Sequence, residues 1–293
     1  WAFEGFTSYY DDLMLVRAGL MSRNTYLDTI GRNITSLLRV AGRRKQTVAE
    51  SSFDAWIKYY RSDENTPNAG VSYYLKGSLI ALSLDLLIRA QTGGRKSLDD
   101  VMRALWKRYG LKDVGVPEDG IEILAEQVTG LKLKRFFELA VRSTGDLPLQ
   151  KLLATVGVEM QQRPPRSGVD RRDQMSRKQR LASRGVAIGV RTGNDGGEVK
   201  LTQVFEGGAA QKAGLAAGDI VIAIDGLRVT PENIDAHLGR YSPGDVVPVH
   251  AFRRDEMHEF SLTLEAAKLD AWTLHVMEDA AGARNRKRWL GTD

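Results

Sequence analysis

Apolar residues recur every three or four positions through the first half of the chain, then switch to near-alternation in the second. Behind a capping Ser22 or Asn24, the residues Leu27, Ile30, Ile34, Leu37 and Leu38 fall on one helical face. Thr47 to Tyr60 repeats the pattern with Phe53, Trp56, Ile57 and Tyr60, which predicts a second helix with an inward apolar stripe. Val71 to Thr92 is apolar on most faces, as a central helix is, and Gly93-Gly94 ends it. Ser97-Leu98-Asp99-Asp100 has the form of a capping box with Asp in place of Glu, ahead of Val101, Leu105 and Trp106. Pro117 opens a further helix through Ile121, Leu124 and Val128, closed by Gly130. A last helical pair covers 132–142 and 147–153.

Near Gly157 the texture changes. Short β-like runs follow at 186–191, 198–205, 220–224, 246–252 and 259–264, interrupted by two short helical stretches near 209–213 and 231–240. The fold class expected is multidomain, α plus β: an all-α helical half over residues 1–154, a small β domain with two helices over 155–265, and a C-terminal tail over 266–293. A chain of 293 residues with 42% apolar and 27% charged composition accommodates two cores.

Charge and cysteine content narrow the picture. The net charge of +5 is concentrated between Arg163 and Arg184, where Arg163, Arg166, Arg171, Arg172, Arg177, Lys178, Arg180 and Arg184 face only Asp170 and Asp173. That run reads as a solvated basic loop. No aromatic residue is interleaved to stack on bases, so nucleic-acid binding is not expected. The longest apolar run, 78–88, is broken by Asp85 and followed by Arg89, so no membrane span is expected. With no cysteine, disulfides and thiol chemistry are excluded.

In the second half, Gly185-Val186-Ala187-Ile188-Gly189-Val190 is followed by Ala213-Gly214-Leu215, by Gly218-Asp219-Ile220-Val221, and by Ile224-Asp225-Gly226. In order and spacing these resemble a bacterial PDZ domain, a partly open β-barrel with two helices. Successive backbone N–H groups of a PDZ loop bind a peptide's C-terminal carboxylate. By that resemblance Ile188, Gly189 and Val190 form the carboxylate loop and apolar pocket, while Ile234 and Leu238 form the opposite wall. A groove used only for packing on the chain's own catalytic region is the alternative. His237, on the groove helix, is expected to be exposed.

The chain begins Trp1-Ala2-Phe3-Glu4-Gly5-Phe6-Thr7-Ser8-Tyr9-Tyr10-Asp11-Asp12, and later carries Tyr73-Tyr74-Leu75-Lys76-Gly77 and Ser97-Leu98-Asp99-Asp100-Val101-Met102. Together these resemble the glycyl aminopeptidase family, gluzincin zinc metallopeptidases with a C-terminal PDZ domain. The resemblance implies that Glu4 is the third zinc ligand, since two His and one Glu leave a position open for water. It implies that Tyr74 donates a hydrogen bond to the oxyanion, with Tyr73 as the competing candidate. Asp11 and Asp12, about two turns beyond Glu4, read as capping or solvated.

The H-E-x-x-H segment that would supply two His ligands and the general base is missing. The histidines are His237, His250, His258 and His275. His258-Glu259-Phe260-Ser261-Leu262 begins like the motif but has Leu262 where His is required, and it lies on a β-like run.

The reading is therefore the C-terminal part of a zinc aminopeptidase that prefers small N-terminal residues such as Gly or Ala. Zinc is expected in the longer parent, and no cofactor and no catalysis in this chain alone. The expected partners are peptide substrate, and peptide C-termini or the catalytic region at the PDZ groove. The alternative is a stand-alone PDZ scaffold without catalysis. A cut surface made of Trp1, Phe3, Phe6, Tyr9 and Tyr10 is expected to be exposed and to promote self-association. Family resemblance points to a bacterial periplasmic or exported setting, although no residue shows it.

Overall fold

The computed structural model describes residues 1–163, 185–268, 270–277 and 280–291. The basic loop expected at 163–184 lies, apart from Arg163, outside the described residues.

The helical half opens with α1 (Ala2–Arg17) and α2 (Arg23–Arg39). Ser22 caps α2, its side chain accepting from the Thr25 N–H. After α3 (Val48–Phe53) and the short α4 (Thr66–Ala69) comes α5 (Tyr73–Gln91), nearly buried throughout and capped by Ser72. Positive φ angles at Gly93 and Gly94 let the chain leave it. Next come α6 (Leu98–Arg108), α7 (Gly120–Thr129), α8 (Lys134–Ala140) and α9 (Leu149–Ala154). At the start of α6 the Asp100 carboxylate accepts from the Ser97 N–H at 2.9 Å, so Asp serves in the box as Glu usually does. The helices close over one core, with Leu13, Ile34, Leu84, Leu86 and Phe137 fully buried.

One expected helix is cut short. α3 ends at Phe53, and the apolar stripe continues instead on turns and a 3₁₀ segment, Tyr59–Arg61, so that it points outward. Phe53 is 91% exposed and Trp56 80%. The periodicity was that of a helix, but no core lies opposite it. The aromatic face expected at the chain start is also corrected. Phe6 and Tyr9 are buried, Trp1 and Tyr10 are half-buried, and only Phe3 is exposed. They turn inward because α1 packs along α5.

The β domain comprises β2 (Val186–Ala187), β3 (Val190–Asp195), β4 (Glu198–Val204), β5 (Ile220–Ile224), β6 (Leu227–Arg228), β7 (Val246–Arg253), β8 (Glu256–Thr263) and β9 (Glu265–Ala266). Its main sheet runs β3-β4-β5-β7-β8, with β6 beside β5, and a small β2–β9 pair closes the base. Two short helices, α10 (Ala209–Lys212) and α11 (Ile234–Leu238), cover it. The Gly218-Asp219 turn is fixed by Asp219, which is buried and accepts two bonds from Arg253 at 2.8 and 2.7 Å.

The halves are joined by more than a linker. β1 (Val158–Arg163) pairs antiparallel with β10 (Ala271–Val276), so the β domain hangs from a two-stranded ribbon. Val158 and Met160, inside the range expected for the β domain, bury in the helical core instead. The ribbon lies on α2, where Gly31 comes close to the Trp272 carbonyl and Thr35 accepts from the Trp272 N–H at 2.8 Å.

The segment expected as a tail then returns to the helical half as α12 (Ala280–Leu290). Trp289 is fully buried, and its indole N–H donates to Tyr9 Oη at 2.9 Å. Two basic residues of α12 serve carbonyl groups: Arg286 donates to the Val156 and Gly157 carbonyls, and Arg288 to that of Gly93. No helix among the described residues is long and apolar enough to cross a membrane.

Candidate functional site

The site is built where α1 crosses the first turns of α5. The crossing residues are Gly5 and Gly77, whose backbones meet with no side chain between them. Glu4 therefore stands on α1 beside Tyr73 and Tyr74, which open α5. Glu4 is half-buried and makes no ion pair or hydrogen bond among the described residues. Its carboxylate is close enough to raise the pKa of both tyrosines.

The two tyrosines are not equivalent. Tyr73 is buried, and burial foremost, then its bond to Tyr60, pushes its hydroxyl pKa up to about 12. Tyr74 is half-buried and reaches the open side. Its pKa lies well above the usual tyrosine range, first through its hydrogen bond to Tyr60, then through Tyr73 and the Glu4 charge. Tyr74 thus remains a neutral donor at ordinary pH.

Beside Tyr74 lies a polar cleft of about 340 Å³ between three helices. Ser8, Asp11 and Asp12 line it from α1, Thr29 and Asn33 from α2, and Ser72, Leu75 and Ser78 complete the wall. Asp11 and Asp12, read from the sequence as capping or solvated, line this cleft. Sequence reasoning also missed Tyr59 and Tyr60. Tyr59 stacks on the Tyr74 ring at 5.7 Å and 21°, and Tyr60 reaches its hydroxyl. The available signal was the doublet Tyr59-Tyr60, which precedes the doublet Tyr73-Tyr74 in the chain. Among the described residues no three His, Cys, Asp or Glu side chains come together as a metal site. His258 lies on β8, far in sequence from Glu4, with Leu262 buried in the β-domain core.

In the β domain, Gly189 has φ +74°, and a Cβ there would meet the Gly208 Cα at 2.8 Å. The 205–210 segment thus braces the loop Ile188-Gly189-Val190, and the Phe205 and Ala210 N–H groups donate to the Gly189 and Ile188 carbonyls. Ile188 and Val190 pack against the core formed in part by Ile234 and Leu238. β3 is the terminal strand of its sheet path, so one edge is free of a strand partner among the described residues. His237 is buried rather than exposed, on the same helix face as Ile234 and Leu238.

Residues 1–80 match the model of the M61 glycyl aminopeptidase family, and residues 186–264 match that of a PDZ domain. Residues 1–80 are an M61-family segment, and residues 186–264 are a PDZ domain. A solved aminopeptidase N family protein from Idiomarina loihiensis is similar over 99% of the chain, at 36% identity and a TM-score of 0.90. The match covers 48% of that protein, so the chain spans about half the relative's length.

Slighter similarities cover 29% of the chain. They are to a serine endoprotease from Yersinia pestis, at 20% identity and a TM-score of 0.26, and to the HtrA-type protease AlgW with decapeptide, at 15% and 0.27. At those scores they have no bearing on function. No curated protein matches. The M61 match takes in Glu4, Tyr73, Tyr74 and the Gly5–Gly77 crossing, and the PDZ match takes in the Ile188–Val190 loop with Ile234 and Leu238.

Proposed function

We propose that this chain supplies part of the active site of a zinc aminopeptidase acting on peptides with small N-terminal residues such as Gly or Ala. The observation that carries the reading is the juxtaposition of Glu4 and Tyr74 across the Gly5–Gly77 crossing. Glu4 fits a metal-ligand role: its carboxylate is half-accessible, its charge acts on the Trp1 ammonium and on both tyrosines, and oxygen donors suit Zn²⁺. The two His ligands and the general base come from outside the described residues. Bound zinc would supply Lewis acidity and an acidified water.

The chain's own residues do the rest. Glu4 contributes one negative oxygen donor. Tyr74 keeps its proton and offers it to the oxyanion as the scissile carbonyl becomes tetrahedral. A donor of this kind is worth about 3–4 kcal/mol of transition-state stabilisation. The polar cleft beside Tyr74 gives the substrate a place to lie.

The PDZ groove is read as a site for a peptide C-terminus. The free edge of β3 and the braced Gly189 loop support that role, which would also serve a stand-alone peptide-binding protein.

The test measures zinc content and Gly- and Ala-peptide hydrolysis in this chain and in a longer form that includes an H-E-x-x-H segment. Zinc and activity in the longer form, both lost in Glu4→Ala, are the expected result. A longer form with neither leaves only the peptide-binding reading.

A further inference from the structure

Three tyrosine hydroxyls cluster at the site, each within reach of the other two. Tyr60 Oη stands 2.7 Å from Tyr74 Oη and 3.1 Å from Tyr73 Oη. Their rings are fixed by Tyr59, which lies nearly parallel on Tyr74 and meets Tyr73 and Tyr60 edge-on at 5.0 and 5.4 Å. Tyr59 in turn shares a 3.1 Å hydrogen bond with Ser72, the cap of α5. The 3₁₀ segment that carries Tyr59 and Tyr60 is therefore registered against the same helix turn that carries Tyr74.

The proton count decides what this cluster can do. Each phenol has one proton to give and can accept. With the site empty, Tyr74 can give its proton to Tyr60 or accept from it. Once Tyr74 donates its hydrogen bond to an oxyanion, its contact with Tyr60 survives only if Tyr60 becomes the donor. Tyr60 then keeps its contact with Tyr73 only by accepting from it. In that state Tyr60 donates to Tyr74 and accepts from Tyr73.

We propose that Tyr60 is the positioning residue for Tyr74, holding its hydroxyl in place and turning a proton toward it when Tyr74 donates its hydrogen bond to an oxyanion. The inference rests on the peptidase reading above. No bond is made or broken among the tyrosines; three hydroxyl rotors reorient, and each donor polarises the next. Tyr60 is half-exposed and its ring packs on Trp56 at 5.2 Å, so a phenylalanine there keeps the packing and removes only the hydroxyl.

Tyr60→Phe is the test, read first in this chain by ¹³Cζ-tyrosine NMR during alkaline titration. The Tyr74 resonance should shift and its ionisation midpoint should move, because Tyr74 loses its hydrogen-bond partner. In the zinc-loaded longer protein, kcat should fall about tenfold with KM unchanged, the worth of one hydrogen bond. Tyr73→Phe should give a smaller loss in kcat with the same KM. A Tyr74 resonance and midpoint indifferent to Tyr60→Phe would overturn the inference. So would an unchanged kcat in Tyr60→Phe where Tyr74→Phe is severely impaired. A harmless Tyr74→Phe would instead remove the oxyanion reading, and this inference with it.

Discussion

A Cβ atom on Gly5 would stand 2.5 Å from the carbonyl carbon of Gly77, and one on Gly77 would stand 3.0 Å from the Gly5 Cα. The two helices therefore touch backbone to backbone, one residue from Glu4 and three from Tyr74. The glycines in E-G-F and in Y-x-K-G are halves of one contact.

Gly5→Ala forces that contact apart. Overpacking of this kind costs about 1–3 kcal/mol. The urea midpoint of the chain should fall accordingly, and the Tyr74 NMR resonance should move with it. A Gly5→Ala chain with unchanged midpoint and Tyr74 signal would show that α1 can shift at no cost.

Trp289 anchors the returning C-terminal helix. Its side chain is fully buried, donates to Tyr9, and through its carbonyl accepts from Arg17 at 2.9 and 3.1 Å. Trp289→Ala should cost about 3–5 kcal/mol, the usual loss for a buried aromatic. Denaturant unfolding measures it. Hydrogen exchange should also report faster opening of 282–290 than of α2.

Asp99 gives the fold an acid limit. Burial opposes its ionisation, but hydrogen bonds from Arg17 and Tyr10, with Arg89 nearby, hold its pKa below the ordinary 3.8. A folded pKa lower than the unfolded one means stability that is present above 3.8 and is lost as pH falls through the folded value. The urea midpoint should therefore drop below about pH 4, and Asp99→Asn should flatten that part of the profile while lowering the plateau. An equal acid slope in Asp99→Asn would assign it to other carboxylates.

Asn68, on α4 between Tyr60 and Tyr73, docks the PDZ domain on the helical half. Its amide donates to the Val204 carbonyl at 2.8 Å and accepts from the Glu206 N–H at 2.9 Å, while Lys45 pairs with Glu206. Asn68→Ala removes both bonds and leaves the buried Val204 carbonyl unserved, a loss of about 1–3 kcal/mol. Exchange of the Glu206 amide should accelerate while α5 stays protected. Unchanged exchange at Glu206 would mean that the docking does not depend on this side chain.

Much of the architecture was written locally. The apolar runs of α2 and α5, the Ser97 box, the Gly130 stop and the ordered PDZ turns follow from residue spacing and backbone preference, which neighbours in sequence decide. Glu4 and Tyr74 could be singled out because they sit within short motifs. The same local reading failed at Phe53 to Tyr60, where helical spacing faces solvent, since periodicity reports a stripe without saying what lies opposite.

Tertiary structure alone decided the rest. It turned Phe6 and Tyr9 inward, returned Trp289 to a core 280 residues away in sequence, and paired β1 with β10 across the whole PDZ domain. It also brought Tyr60 to Tyr74 and Asp11 to the same cleft. Each of these is a contact between segments that carry no mark of one another. They form because the buried faces of separate helices must meet, and glycines at 5 and 77 let two of them meet closely enough to set Glu4 beside Tyr74.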